Sequence, residues 1–244
     1  MYLQDYLWFL VALGVCLVLS AIASARVRSA YSKYSSVRIR SGLTGYATAL
    51  RLLSSGGVHG VSVGRVSGNL TDHYSPNDGV VNLSDSTYGS SSVAAVAVAA
   101  HEIGHVMQRE QGSLMYRLRT ALVPAVNIGS RLAMPLVLVG LLIDMLLVTV
   151  NEGLGFYIAM IGVILYGSSL LFALVTLPVE LDASRRAREM LVADGILTRD
   201  EMPGVNKVLS AAAMTYLASL LTSLVYFLRF LLYVLTVFGR RNDR

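Results

Sequence analysis

Four long apolar runs divide the chain. Residues 7–25 carry no charge, residues 132–150 carry only Asp144, residues 154–179 carry none, and residues 208–238 carry only Arg229. A helix needs about 20 apolar residues to cross a bilayer, so each of the first three runs predicts one spanning helix. The fourth is too long for a simple span. It predicts a helix partly in lipid and partly packed on the polar portion. The 94 residues from 26 to 119 follow a different pattern. Ser41 and Thr44 are helix-start candidates, with a stop at Gly56-Gly57. Val58, Val61, Val63 and Val66, spaced by glycine and polar residues, predict short strands. Pro76-Asn77-Asp78-Gly79 predicts a turn, and Val80-Val81-Asn82-Leu83 a strand after it. Ser91 or Ser92 caps a further helix running through Val93 to about Gln111. The expected fold is mainly α and integral to the membrane. It has three to four transmembrane helices and a small cytoplasmic α+β portion.

Composition agrees. Hydrophobic residues make up 55%, charged residues 14%, and mean hydropathy is +0.60. The net charge of +5 comes from residues flanking the apolar runs. It suits an anionic leaflet and makes the lipid bilayer a partner. These cations are not interleaved with aromatics, so nucleic acid is not an expected partner. The only cysteine, Cys16, lies in the first run. That leaves no disulfide and no thiolate metal site.

Charge order sets the expected topology. Ala23-Ser24-Ala25 looks like a signal-peptide cleavage site, but only Asp5 precedes the run. Arg26, Arg28, Lys33, Arg38 and Arg40 follow it, the reverse of a signal peptide. The run therefore reads as an uncleaved anchor with its N-terminus outside. Arg109, Arg117 and Arg119 precede the second run, and Arg185, Arg186, Arg188, Arg199 and Lys207 follow the third. The segment Asn151-Glu152-Gly153-Leu154-Gly155 between them has no cation. Both basic segments are then inside, facing the cytoplasm. The basic tail from Gly239 to Arg244 would fall outside after four full spans. Either the last run re-enters or the tail breaks the positive-inside rule. The expected divisions are an anchor over 1–25, a cytoplasmic α+β segment over 26–119 and a transmembrane hairpin over 120–179. A cytoplasmic segment over 180–206 and a hydrophobic helix with its tail over 207–244 complete the chain. Asp144 and Arg229 either line a cavity, or Asp144 lies near the outer end of its span and Arg229 snorkels or pairs.

One motif carries chemistry. His101-Glu102-Ile103-Gly104-His105 stands in an alanine-rich helical stretch. Residues four apart share a helix face, so both imidazoles can reach one zinc ion (Zn2+). Glu102 can take a proton from the water that the metal polarises. That is the HExxH arrangement of zinc metallopeptidases. Four histidines and six glutamates in 244 positions make a chance match about one in 600. The alternative is a buried structural histidine pair. A catalytic zinc takes three protein ligands and one water. Glu152 is on the wrong side of the membrane, and Glu110 is too close along the same helix. Glu180 stands where the third run ends, after a helix-kinking Pro178. It is the preferred third ligand, with His73 the other candidate. Glu180 could instead pair with Arg185 or Arg186. His73 and Tyr216 are candidates to act on a developing oxyanion; the competing readings are a loop histidine and an interfacial aromatic. The strand at Asn82 either offers an edge to an extended peptide or lies inside the sheet.

Longer stretches agree with a known family. They are Gly68-Asn69-Leu70-Thr71-Asp72-His73-Tyr74, Ser92 through His105, Leu177-Pro178-Val179-Glu180 through Arg186, and Leu209 through Tyr216. In these the chain resembles the YugP-type bacterial membrane zinc metallopeptidases over nearly its whole length. It is similar in plan to HtpX-type and CAAX-processing membrane proteases. The resemblance implies His101, His105 and Glu180 as ligands and Glu102 as base. It also implies membrane proteins or unfolded polypeptides as substrates. One departure stands out: the Asp of the Glu-x-x-Ala-Asp run is Ser184 here, with an acid earlier at Asp182. Two other classes compete with a membrane endopeptidase. One is a non-proteolytic interaction protein with a structural zinc, which would need a fourth ligand. The other is a metal hydrolase acting on a non-peptide bond.

Overall fold

The computed structural model describes residues 2–146 and 153–239. Asn151, Glu152 and the tail from Arg240 to Arg244 lie outside the described residues, as does the side chain of Asp144. In chain order the elements are α1 (Tyr2–Ser35), α2 (Gly45–Ser55), β1 (Ser62–Val66), β2 (His73–Ser75), β3 (Val80–Ser84) and α3 (Asp85–Tyr88). Then come α4 (Val93–Glu110), α5 (Leu114–Leu146), α6 (Leu154–Ala193) and α7 (Met202–Gly239). Four helices are long and apolar enough to cross a membrane, over Leu7–Ser35, Leu114–Ile143, Leu154–Ala193 and Met202–Thr236. The fold is thus mainly α, with a small sheet and four candidate spans.

The chain divides into two compact units. One comprises Ala21–Arg117 and Leu177–Tyr216. Its core is built around α4, whose residues from Val93 to Gln108 are nearly all buried. Alanines at 94, 95, 97, 99 and 100 are fully buried, so neighbours pack closely on every side. Leu52 and Leu53 of α2, Val81 and Leu83 of β3, Leu191 of α6 and Val205 and Leu209 of α7 fill that core. Each such side chain contributes about 1.5–3 kcal/mol by leaving water. The Thr44 side chain accepts from the Ala47 amide to cap α2. The Ser92 side chain accepts from the Ala95 amide at 3.2 Å to cap α4. Both satisfy amides with no partner inside their own helix.

The three strands form one sheet in the order β1-β3-β2. β3 pairs in parallel with β1 and antiparallel with β2. It is therefore central, and Asn82 lies inside the sheet, paired with Gly64 and His73. The edge-strand reading of Asn82 falls, because both sides of β3 are taken. His73 is in strand β2 rather than in a loop ahead of the strands.

The other unit comprises Met1–Ser20, Leu118–Thr176 and Leu217–Arg244. Val137, Ala159, Val163, Val234 and Phe238 form its small core. α5 and α6 approach until only glycine fits. A Cβ on Gly140 would stand 2.5 Å from the Gly155 carbonyl oxygen, and one on Gly162 2.7 Å from that of Ala133. Small residues at helix contacts permit this in membranes. The Arg229 guanidinium lies over the Phe9 and Tyr233 rings, at 5.2 and 5.5 Å. That agrees with a cation packed on aromatics. The fourth apolar run belongs to one unbroken helix. Its early residues Val208 and Leu209 are buried in the α4-centred core, and its later ones belong to the other unit.

Candidate metal centre

α4 and α6 cross within the α4-centred unit, and Gly104 makes the crossing close. A Cβ there would meet the Ala183 carbonyl oxygen at 2.5 Å. The third residue after His101 is therefore small for a steric reason. The approach brings Glu180 of α6 to the two histidines of α4. Its Oε2 lies 3.1 Å from His101 Nε2 and 3.5 Å from His105 Nε2. The ligand atoms of His101, His105 and Glu180 lie within 4.8 Å of one another. Among the described residues no fourth His, Cys, Asp or Glu joins this group. His73 is not in it, so the carboxylate and not the third histidine meets the pair. Glu180 does not pair with Arg185 or Arg186; both bond Asp182 instead.

The outer atoms of both rings are held. Ser184 Oγ lies 3.2 Å from His101 Nδ1. Gln108 Oε1 lies 3.0 Å from His105 Nδ1. Gln108 is fully buried, and its amide nitrogen donates to the Val179 carbonyl at 2.8 Å and to Asp182 Oδ2 at 2.9 Å. Those two acceptors fix which end of the amide faces His105. An amide oxygen only accepts, so His105 Nδ1 carries the hydrogen. In the neutral ring Nε2 is then a bare acceptor, 3.5 Å from a carboxylate oxygen. Two acceptors facing each other in a buried site call for a cation between them. Two imidazoles, one carboxylate and no thiolate are a donor set suited to zinc with a fourth position open. Partners on the outer ring nitrogens orient such ligands.

Glu102 is buried beside His101. Loss of water pushes its carboxyl up, to about 7. The His101 ring opposes this, the negative charges of Glu180 and Asp72 add to it, and His73 opposes it weakly.

Glu102 and His101 line an open cleft of about 150 Å³, which Asp72 and Tyr216 also line. His73 is exposed, with Nδ1 2.9 Å from the Thr71 carbonyl and Nε2 3.2 Å from Asn82 Nδ2. Sequence reasoning missed Gln108. Its one local signal was a glutamine three residues after His105, on the same helix face. It also left Ser184 as a mere departure, whereas that hydroxyl occupies the place beside His101.

Four apolar helices and a His-His-Glu group of this kind define a candidate membrane metalloprotein. The comparisons make the class specific. The sequence profile of a family described as "putative neutral zinc metallopeptidase" matches residues 9–235. A Bacillus subtilis (strain 168) protein described as "putative membrane protease YugP" is 43% identical over 214 residues, covering 88% of this chain and 91% of that protein. No solved structure matches. The chain belongs to this neutral zinc metallopeptidase family. It is a membrane metalloprotease, and its cofactor is zinc.

Proposed function

We propose that the chain is an endopeptidase of the bacterial cytoplasmic membrane with its active site on the cytoplasmic side. Its substrates are membrane-associated or unfolded polypeptides. His101, His105 and Glu180 hold zinc in a gluzincin-type set. The observation that carries this reading is the convergence of those three donors, with His101 and Glu102 both lining one open cleft. When bound, zinc supplies Lewis acidity toward water and the scissile carbonyl. Glu102 takes the proton of the attacking water and returns it to the leaving amine. Its burial limits exchange of that proton with bulk solvent. Tyr216, across the cleft, donates its phenolic hydrogen to the developing oxyanion. His73, engaged with Thr71 and Asn82, takes no step.

Two cleft walls support a membrane-tethered substrate. Val27 stands just past the uncharged run 7–25, and Val208 opens the run 208–238. Two residues of the cleft wall are thus close in sequence to membrane helices, where a tethered extended segment can reach them. The orientation rests on the basic residues at the run ends.

The test is a metal and proteolysis assay on detergent-purified protein. Glu102→Gln is expected to abolish casein cleavage while keeping zinc. His101→Ala, His105→Ala and Glu180→Ala are expected to lose zinc. Full zinc and full activity in Glu180→Ala would overturn the ligand set. For topology, Asn77→Cys in a Cys16→Ser background should react with an impermeant thiol reagent only after the cells are opened. Labelling in intact cells would overturn the orientation.

A further inference from the structure

The cleft beside Glu102 is mostly apolar. Val98 lies on α4 one turn before His101 and Glu102, on the same face. Val208, Leu209, Ala212 and Tyr216 form one face of α7 opposite it. Leu70 closes the rim and is 42% exposed. Besides Glu102, the acid in the lining is Asp72, and both its oxygens are engaged. They accept from the Ser84 amide at 2.7 Å and the Ser84 hydroxyl at 2.8 Å. Each oxygen keeps a further lone pair, so Asp72 stands as a fixed negative charge in the lining beside Glu102.

Leu70 is also the one non-glycine residue with positive φ among the described residues, at +56°. A leucine in the left-handed region is strained, and such outliers persist where the surroundings hold them. Here the loop is tied at both ends. The Gly68 amide donates to Asp85 at 3.1 Å, and Asp85 is paired with Arg65 at 2.7 Å. The Thr71 hydroxyl donates to the Ser67 carbonyl at 3.0 Å, and Asp72 anchors the far end on Ser84. Nothing in the core needs this side chain. The anchored loop spends strain to stand an aliphatic group at the mouth of the cleft.

We propose that this cleft is a side-chain pocket that selects an aliphatic or aromatic residue next to the cleaved bond, with Leu70 as its rim. It rests on the peptidase reading, since Glu102 and His101 form its floor. Its volume of about 150 Å³ suits one side chain rather than a peptide segment. Glycine would leave the apolar walls wet, and an acidic side chain would lose hydration and meet the carboxylates of Asp72 and Glu102.

The experiment uses the zinc-loaded full chain in detergent and peptidyl hydroxamates that differ only in a Gly, Ala, Leu or Phe side chain. Affinity is read by thermal shift and casein cleavage is measured in parallel. The Leu and Phe forms are expected to bind at least tenfold tighter than the Gly form. Ala212→Trp fills the pocket and should weaken the Leu and Phe forms at least tenfold without weakening the Gly form. Leu70→Gly removes the rim and the strain together. It should narrow the difference between Leu and Gly severalfold without lowering the melting temperature. Equal affinity across the series overturns the pocket, and so does a ranking that neither variant changes. A flat ranking with tight alkyl-detergent binding assigns the cleft to a lipid chain and also overturns it. If the ranking holds but casein is not cut, the peptidase reading fails and the pocket stands.

Discussion

The α4–α6 and α5–α6 crossings use the same steric device for different ends. At each, a glycine faces a neighbour's backbone oxygen at a distance no Cβ tolerates: Gly104 against Ala183, and Gly140 and Gly162 against Gly155 and Ala133. Around Gly104 the close approach hangs polar groups on both helices, including His101, His105, Gln108, Glu180 and Asp182. Around Gly162 the neighbours are Ala133 and Val137, and the gain is dispersion alone. A glycine at a helix contact thus fixes distance. What stands one turn away decides whether the distance serves chemistry or only packing.

The largest expected effects come from closing that gap. Gly104→Ala forces the α4 and α6 backbones apart, at a cost of about 1–3 kcal/mol for overpacking. It should also lower zinc affinity on the order of 100-fold, because the three donors separate. Gly162→Ala should cost a similar stability and leave zinc affinity unchanged. The checks are thermal unfolding and chelator competition on both variants. An equal loss of zinc in Gly162→Ala would break the distinction between the two crossings.

A smaller effect tests the polar groups without moving the helices. Gln108→Leu removes the acceptor at His105 Nδ1 and both cross-links to α6. Zinc affinity is expected to fall about 10–100-fold. Ser184→Ala removes one long hydrogen bond to His101 and should sit at the lower end of that range. Ser184→Ala exceeding Gln108→Leu would show that His101, rather than His105, depends more on its outer partner.

Much of this was legible in the sequence where the signal is local. The four apolar runs, the caps at Thr44 and Ser92, the turn at 76–79 and the His101–His105 spacing are short-range patterns. Glu180 was legible only as an acid at the end of a run beside Pro178, since its meeting with His101 spans 79 residues of chain. What stayed hidden depends on contacts across about 70–80 residues of chain. The Gln108 bonds to Val179 and Asp182, and the Ser184 bond to His101, are of that kind. The position of β3 inside the sheet was hidden too, since alternation along one strand does not say how many neighbours it has. The reach of α1 to Ser35 went unseen because the apolar run ends at Ala25 while helix-compatible residues continue.

The smallest effect concerns acid. The loop carrying Leu70 is held by charge, unlike the glycine crossing of α5 and α6. Asp85 accepts from Arg65 and from the Gly68 amide, and these hold its carboxyl below the usual aspartate value of 3.8. A carboxyl depressed by folding stabilises the native state above its unfolded value, and that contribution is lost as pH falls through the folded one. Asp85→Asn should therefore lower the melting temperature slightly at pH 7, and the difference from the parent should be smaller at about pH 2. Gly162→Ala, acting by sterics, should show the same deficit at both pH values. A deficit in Asp85→Asn that persists undiminished in acid would mean the loop is held by shape and not by charge.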